Sequence, residues 1–202
     1  MKKTLLAALL VAYGIVAAAG TKKETIASPD GKVKAEITIG NQLMLNVYAG
    51  EEQILKDNVL SLQTTKGQLV LDPKLSGVKR IRIDEVIRPV VPLKFREVAN
   101  KANQLSLSFK GGIGLDLRAY DNGVAYRFTI NQGKGQTDVI SEGLDLTLPE
   151  AFIAHISKTR GFGTSYENPY THLSTAELKE GDEMTYLPIL LESPKGTKVY
   201  ST

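Results

Sequence analysis

Leu117-Arg118-Ala119-Tyr120-Asp121-Asn122-Gly123-Val124-Ala125-Tyr126-Arg127-Phe128 decides the fold. Apolar and polar residues alternate on both sides of Asn122-Gly123, so each flank offers one face to a core and the other to water. Asn-Gly between two alternating runs is the strongest short-range hairpin signal, because both central residues of a type I′ turn take positive φ. The stretch predicts two paired strands, 113–120 and 124–130, joined by a type I′ turn at Asn122-Gly123.

The same punctuation extends in both directions. Towards the N-terminus, Ser28-Pro29-Asp30-Gly31 reads as a turn, Lys32 to Ile39 alternates with period two, and Gly40-Asn41 leads into Leu43-Met44-Leu45-Asn46-Val47-Tyr48, the opening of a β-meander. Gln104 to Phe109 alternates through Leu105, Leu107 and Phe109, and Gly111-Gly112 leads into the decisive hairpin. Towards the C-terminus, 186–192 and 197–202 form a hairpin around Ser193-Pro194-Lys195-Gly196, and the text stops within its second arm, as a truncated chain would. Helix signals are confined to Ser174-Thr175-Ala176-Glu177, with capping-box spacing, and Gly181 as a stop, which allows a turn or two at most. Short strands with turn signals, no internal repeat and no linker predict one all-β unit from residue 20 to 202.

Composition narrows the function. The 202 residues are 42% hydrophobic and 6% aromatic, with no Cys and no Trp, which excludes disordered, collagenous, coiled-coil and disulfide-framework classes. The formal charge is +3, but Lys2 and Lys3 supply two of the 25 Lys+Arg, leaving 23 against 22 Asp+Glu. A chain this neutral has no footprint for nucleic acid. Met1-Lys2-Lys3, the apolar run from Leu5 to Val16 and Ala17-Ala18-Ala19 have the layout of a secretory signal peptide over 1–19, cleaved near Gly20. The apolar run is too short for a transmembrane anchor, and the absence of Cys excludes lipoprotein attachment. Export to a bacterial periplasm or the extracellular space follows, with no integral membrane segment after cleavage.

Few residues offer chemistry. Without Cys there is no thiolate nucleophile or zinc–thiolate site; no Gly-x-Ser-x-Gly elbow accompanies His155 and His172, and no phosphate-binding glycine loop is present. His155, in the apolar run 152–156, is expected on a sheet surface. Asp84-Glu85 and Asp116 with Asp121 are carboxylate pairs of the kind glycosidic hydrolysis needs, but adjacent strand residues point to opposite faces, which favours solubility and turn roles. Lys79-Arg80-Ile81-Arg82 is read as a solvated strand face. The stretch most unlike its neighbours is Thr159-Arg160-Gly161-Phe162-Gly163-Thr164-Ser165-Tyr166-Glu167-Asn168-Pro169-Tyr170. Loops rich in aromatic and acidic residues on a β scaffold suit sugar or hard-cation contacts; a packed surface loop with Glu167 solvated is the plain alternative.

Taken together, Ser28-Pro29-Asp30-Gly31-Lys32, the 117–128 hairpin and Tyr166-Glu167-Asn168-Pro169-Tyr170 running on to Gly181-Asp182 resemble the N-terminal domain of glycoside hydrolase family 97, in order and spacing over nearly all of residues 20–202. The resemblance implies a mutarotase-like β-super-sandwich preceding a (β/α)8 catalytic barrel in an exported, calcium-dependent α-glucosidase or α-galactosidase. The catalytic carboxylates lie on that barrel, so no catalytic residue is expected here. Glu167 matches a calcium-ligand glutamate by its Tyr-Glu-x-x-Tyr setting. The implied partners are an α-linked oligosaccharide and the barrel. One glutamate cannot fill a calcium shell, so the sandwich alone is expected to bind the ion poorly or not at all. The alternatives are a free-standing carbohydrate-binding sandwich that stacks sugar on Phe162, Tyr166 and Tyr170, against which the lack of Trp counts, and a structural domain with no ligand.

Overall fold

Alternating sequence becomes alternating burial once strands stack face to face. The structure, a computed structural model, describes residues 21–202; the signal peptide read over 1–19 lies outside the described residues. The strands are β1 (Lys22–Ala27), β2 (Val33–Ile39), β3 (Leu43–Ala49), β4 (Glu52–Thr64), β5 (Gly67–Leu69), β6 (Leu75–Ile87), β7 (Val98–Phe109), β8 (Ile113–Tyr120), β9 (Gly123–Ile130), β10 (Val139–Leu144), β11 (Ile153–Thr159), β12 (Tyr170–Ser174), β13 (Met184–Thr185), β14 (Ile189–Glu192) and β15 (Lys198–Ser201). They form three sheets: β1-β2-β3-β4-β10 with β5 beside β4, β6-β7-β8-β9, and β12-β11-β14-β15 with β13 beside β11. All strand pairs are antiparallel. The all-β expectation holds, although β4, β6 and β7 are 12 to 13 residues long rather than short. The Ser174 segment is a single 3-10 turn, Thr175–Glu177, in which Ser174 Oγ accepts from the Ala176 N–H.

The first two sheets close over the larger core. Ala35, Ile37 and Ile39 of β2 and Leu43 and Leu45 of β3 meet Leu105 and Leu107 of β7 and Ile113, Leu115, Leu117 and Ala119 of β8. On the opposite face of the second sheet the polar positions of the 117–128 stretch form a ladder. Arg127 donates twice to Asp116 (2.9 and 3.0 Å), which accepts from Ser106 (2.6 Å); Ser106 accepts from Gln104 (3.0 Å), and Gln104 from Arg118 (2.7 Å). These residues brace the sheet.

The hairpin is formed, but its turn differs from the expectation. Tyr120 pairs with Gly123, which centres the turn on Asp121-Asn122, and neither these residues nor Gly123 has positive φ, so it is not type I′. The reason is tertiary: Asp121 Oδ1 accepts from the backbone N–H of Asp30 (2.9 Å), tying this turn to the β1–β2 turn.

A smaller core of Ile54, Phe152, Ala154, Ile156 and Leu191 lies beneath the third sheet. β4 reaches both cores by changing direction. Asp57 adopts φ +52°, the β3–β4 register shifts between Leu45 and Val47, and buried Asn46 holds the bulge by accepting from Asp57 N–H (3.0 Å) and Gln53 (2.8 Å). Such a bulge re-aims the strand: Ile54 before it enters the small core, and Leu60 and Leu62 after it enter the large one.

Candidate functional site

The 160–169 loop leaves β11 at Thr159 and returns as β12 at Tyr170, so its ends are fixed by pairing of Ser157 with Tyr170. Side chains tie it down. Thr159 Oγ1 donates to the Gly161 carbonyl (3.0 Å), Asn168 Nδ2 to the Lys158 carbonyl (2.7 Å) and the Tyr166 hydroxyl to the Phe162 carbonyl (2.6 Å). Tyr186 is the brace from outside. Its hydroxyl reaches the Tyr166 carbonyl at 2.6 Å and Ser157 Oγ at 2.7 Å, and its ring meets Tyr166 edge to face at 5.2 Å. Tyr166 has φ +56°, an uncommon conformation for a residue with a Cβ. It is anchored through its hydroxyl, its carbonyl and its ring.

This bracing opens a concavity of about 560 Å³ lined by Thr159, Phe162, Tyr166, Met184, Thr185, Tyr186 and Leu187. Phe162 is 86% exposed, an aromatic face on offer rather than packed. Glu167 directly follows Tyr166. It is exposed, and no hydrogen bond or ion pair engages its carboxylate among the described residues. Tyr170 is exposed at the start of β12. The structure therefore brings Phe162 and Tyr166 into one wall, with Glu167 beside it and Tyr170 at the loop's other end. Met184, Tyr186 and Leu187 join from a segment whose sequence reads only as the start of a hairpin. Their one signal was a further cluster of large apolar side chains near the C-terminus.

Among the described residues no group of three or more His, Asp or Glu side chains converges on a common point. A calcium ion takes roughly six to eight oxygens. Glu167 has the right chemistry for one of them, with a carboxylate that no partner engages among the described residues.

The other candidates have structural partners. Asp116 and Asp121 are engaged as described above. Asp84 lies 3.6 Å from Lys101 Nζ, and Glu85 accepts from Asn100 (2.6 Å). Lys79-Arg80-Ile81-Arg82 is an exposed edge of β6, with Arg80 paired to Glu24 at 2.7 Å. His155 and His172 face each other across β11 and β12, Nδ1 to Nδ1 at 2.6 Å, which requires one ring to donate and the other to accept. A second concavity of about 500 Å³ opens between the two cores, where Leu45, Val47, Val124 and Tyr126 face Leu191, Val199 and Thr202. Within it, burial and then the neighbouring Glu142 carboxylate push the Tyr126 phenol up to about 12, so it stays a neutral donor to Glu142 (3.2 Å).

Comparison with known proteins follows these lines. The family described as glycosyl-hydrolase 97 N-terminal matches residues 26–201. A retaining alpha-galactosidase of Bacteroides thetaiotaomicron is 34% identical over 191 residues, covering 90% of this chain and 28% of that protein. A probable retaining alpha-galactosidase of Streptomyces bingchenggensis is 30% identical over 145 residues, covering 70% of this chain and 22% of that protein. Among solved structures, a glycoside hydrolase family 97 enzyme from Pseudoalteromonas sp. strain K8 in complex with acarbose superposes with TM-score 0.72 at 16% identity, over 87% of this chain and 27% of that one. A beta-arabinopyranosidase superposes with TM-score 0.73 at 22% identity, over 84% and 29%. The two solved structures are alike in fold. The chain spans less than a third of each of these relatives.

Proposed function

Because this chain belongs to the glycosyl-hydrolase 97 N-terminal family, we propose that it is the non-catalytic sandwich of an exported α-glycoside hydrolase, packed on a (β/α)8 catalytic barrel. In that enzyme the 160–169 loop forms part of the active-site wall and Glu167 supplies one calcium oxygen. The observation that carries this reading is that exposed Glu167, whose carboxylate has no partner among the described residues, directly follows Tyr166 in the wall of an aromatic concavity braced by Tyr186. A loop that served only as a connection would not need an aromatic brace on a left-handed tyrosine. A calcium ion held there in part by Glu167 would supply positive charge to the active site. The chain's own part is to hold Glu167 in place and to offer Phe162 and Tyr166 as apolar faces to a sugar ring.

The substrate is an α-linked oligosaccharide. The two curated relatives are named a retaining alpha-galactosidase and a probable retaining alpha-galactosidase, so α-galactosides come first and α-glucosides second. Export rests on the 1–19 leader. The free-standing carbohydrate-binding alternative has less support, since the relatives all extend far beyond the matched portion.

The test is Glu167→Gln in the enzyme carrying its catalytic domain. The calcium concentration for half-maximal α-glycosidase activity should rise at least about tenfold, with an unchanged circular-dichroism spectrum. Calcium dependence equal to wild type would refute the ligand role, and absence of α-glycosidase activity from the wild-type enzyme would refute the whole reading.

A further inference from the structure

The second sheet is uneven. β6 and β7 stay in register from Val78 with Leu107 to Ile87 with Val98, while β8 pairs with β7 only from Ser108 to Asn103. Residues 83–87 and 98–102 therefore continue as a two-stranded ribbon past the β8–β9 turn, for roughly 17 Å at about 3.4 Å per residue. Residues 88–97 cap it, reading Arg-Pro-Val-Val-Pro-Leu-Lys-Phe-Arg-Glu.

This arm is apolar where it meets water. Val90 is 100% exposed, Leu93 93%, Val91 66% and Phe95 60%, and Val86, Ile87 and Val98 continue the exposure down the ribbon. Apolar surface exposed in this way marks an interaction site. Asn100 and Ala102 at the base of the ribbon are buried, and the Tyr120 hydroxyl donates to Asn100 Oδ1 (3.2 Å), so the part left uncovered is the outer end and its tip. The tip is nevertheless shaped. Pro89 and Pro92 fix φ, the Leu93 N–H closes on the Val91 carbonyl (3.0 Å), and Arg88 pairs with Glu97 at the base (2.8 Å). Among the described residues nothing covers it.

We propose that this arm is the clasp by which the domain holds the catalytic domain of its own polypeptide, with Val90, Val91, Leu93 and Phe95 buried on an apolar surface rimmed by carboxylates. The inference rests on the reading of the chain as an enzyme's N-terminal sandwich. Two observations choose this occupant. More than two thirds of each of these relatives lies outside the matched part. Thr202 also shares the second concavity with Asn122 and Gly123 of the β8–β9 turn, so a domain joined after it emerges at the end of the sheet past which the arm projects. Charge disfavours a second copy. The tip carries Arg88, Lys94 and Arg96 against Glu97 alone, and a two-fold contact would set these like charges against each other.

The experiment is limited trypsinolysis of the full enzyme, with a synthetic peptide of residues 86–99 as the reference for uncovered sequence. Cleavage after Lys94 and Arg96 should be at least about 100-fold slower in the enzyme than in the peptide. A Leu93→Ser, Phe95→Ser double variant should recover at least about tenfold of that difference, with sedimentation unchanged. Cleavage of the wild-type enzyme at the peptide's rate would overturn the proposal. So would protection that disappears together with a dimer-to-monomer change, because the occupant would then be a second copy. Failure of the underlying reading shows separately, as a wild-type protein without α-glycosidase activity.

Discussion

Between the first two sheets sixteen side chains are buried together, whereas beneath the third sheet five are, edged by partly buried Leu148, Leu173, Ile189 and Val199. The deep core is walled by β2 and β3 on one side and β7 and β8 on the other. The shallow core borrows Ile54 from β4 and Phe152 from a connection, and it lies under the sheet that carries the 160–169 loop. Opening free energy is spread unevenly in such a fold, and recognition loops occupy its low end. The division teaches that the deep core sets whether the domain folds, while the shallow one sets whether its aromatic wall is in place.

The largest effect should come from the deep core. Leu115 is fully buried at the centre of β8, between paired strands that cannot collapse into a void, so Leu115→Ala should cost about 4 kcal/mol, in the upper part of the range for such truncations. Urea denaturation followed by circular dichroism measures it, and amide exchange should accelerate in every sheet. Acceleration confined to β6–β9 would mean that the two cores unfold independently.

Phe152→Ala attacks the other side of the comparison. Its ring is the largest side chain of the shallow core and is 1% exposed, yet the partly buried rim can relax around it. About 3 kcal/mol is expected, at the low end for phenylalanine, with faster exchange in β11, β12, β14 and β15 and unchanged exchange in β8. Equal acceleration in β8 would merge the cores into one cooperative unit.

Asn58→Ala tests the joint between them. Asn58 is fully buried in β4; it donates to the Thr147 carbonyl (3.1 Å) and accepts from the Thr147 N–H (2.7 Å). Truncation leaves two backbone groups unpaired, a cost of about 2 kcal/mol, and should loosen the 145–152 connection leading into the third sheet. A loss below about 0.5 kcal/mol by urea denaturation would show that this clamp does not couple the halves.

The deep half was readable in the sequence because its chemistry is local. The alternating apolar positions Ala35, Ile37 and Ile39 and Ile113, Leu115, Leu117 and Ala119 all enter the core, although Thr38 and Gly114 between them are buried as well, and the Ser28 and Ser193 turns fall where Pro and Gly place them. The turn at Asp121-Asn122 was misread because its geometry answers to Asp30, 91 residues away. Asn58 and Asn46 gave no signal, since a buried asparagine is defined by partners that sequence does not place nearby. At the candidate site, Phe162, Tyr166 and Glu167 stand out by composition, but Tyr186 becomes part of the site only when β13 closes beside β11.

The smallest effect belongs to the turn that ties the deep core's first strands together. Asp30 Oδ1 accepts from the Lys32 N–H (3.0 Å) and from Ser28 Oγ (2.7 Å), and these bonds, the backbone one first, hold its carboxyl at about 2, below its ordinary 3.8. A depressed carboxyl favours the folded state above its unfolded pKa and loses that contribution as pH falls through the folded one. Stability contributed by Asp30 should therefore be complete above about pH 5 and fade between about pH 4 and pH 2. Wild type and Asp30→Asn, compared by urea midpoint across that range, should differ at pH 7 and converge near pH 2. Because the side chain is solvent-accessible, the difference should be small, well below that for Asn58→Ala. A gap that persists unchanged at pH 2 would show that Asp30 acts through its shape in the turn and not through its charge. The Ser-Pro-Asp-Gly-Lys turn would then owe its role to Pro29 and to Gly31, whose φ of +77° suits glycine best.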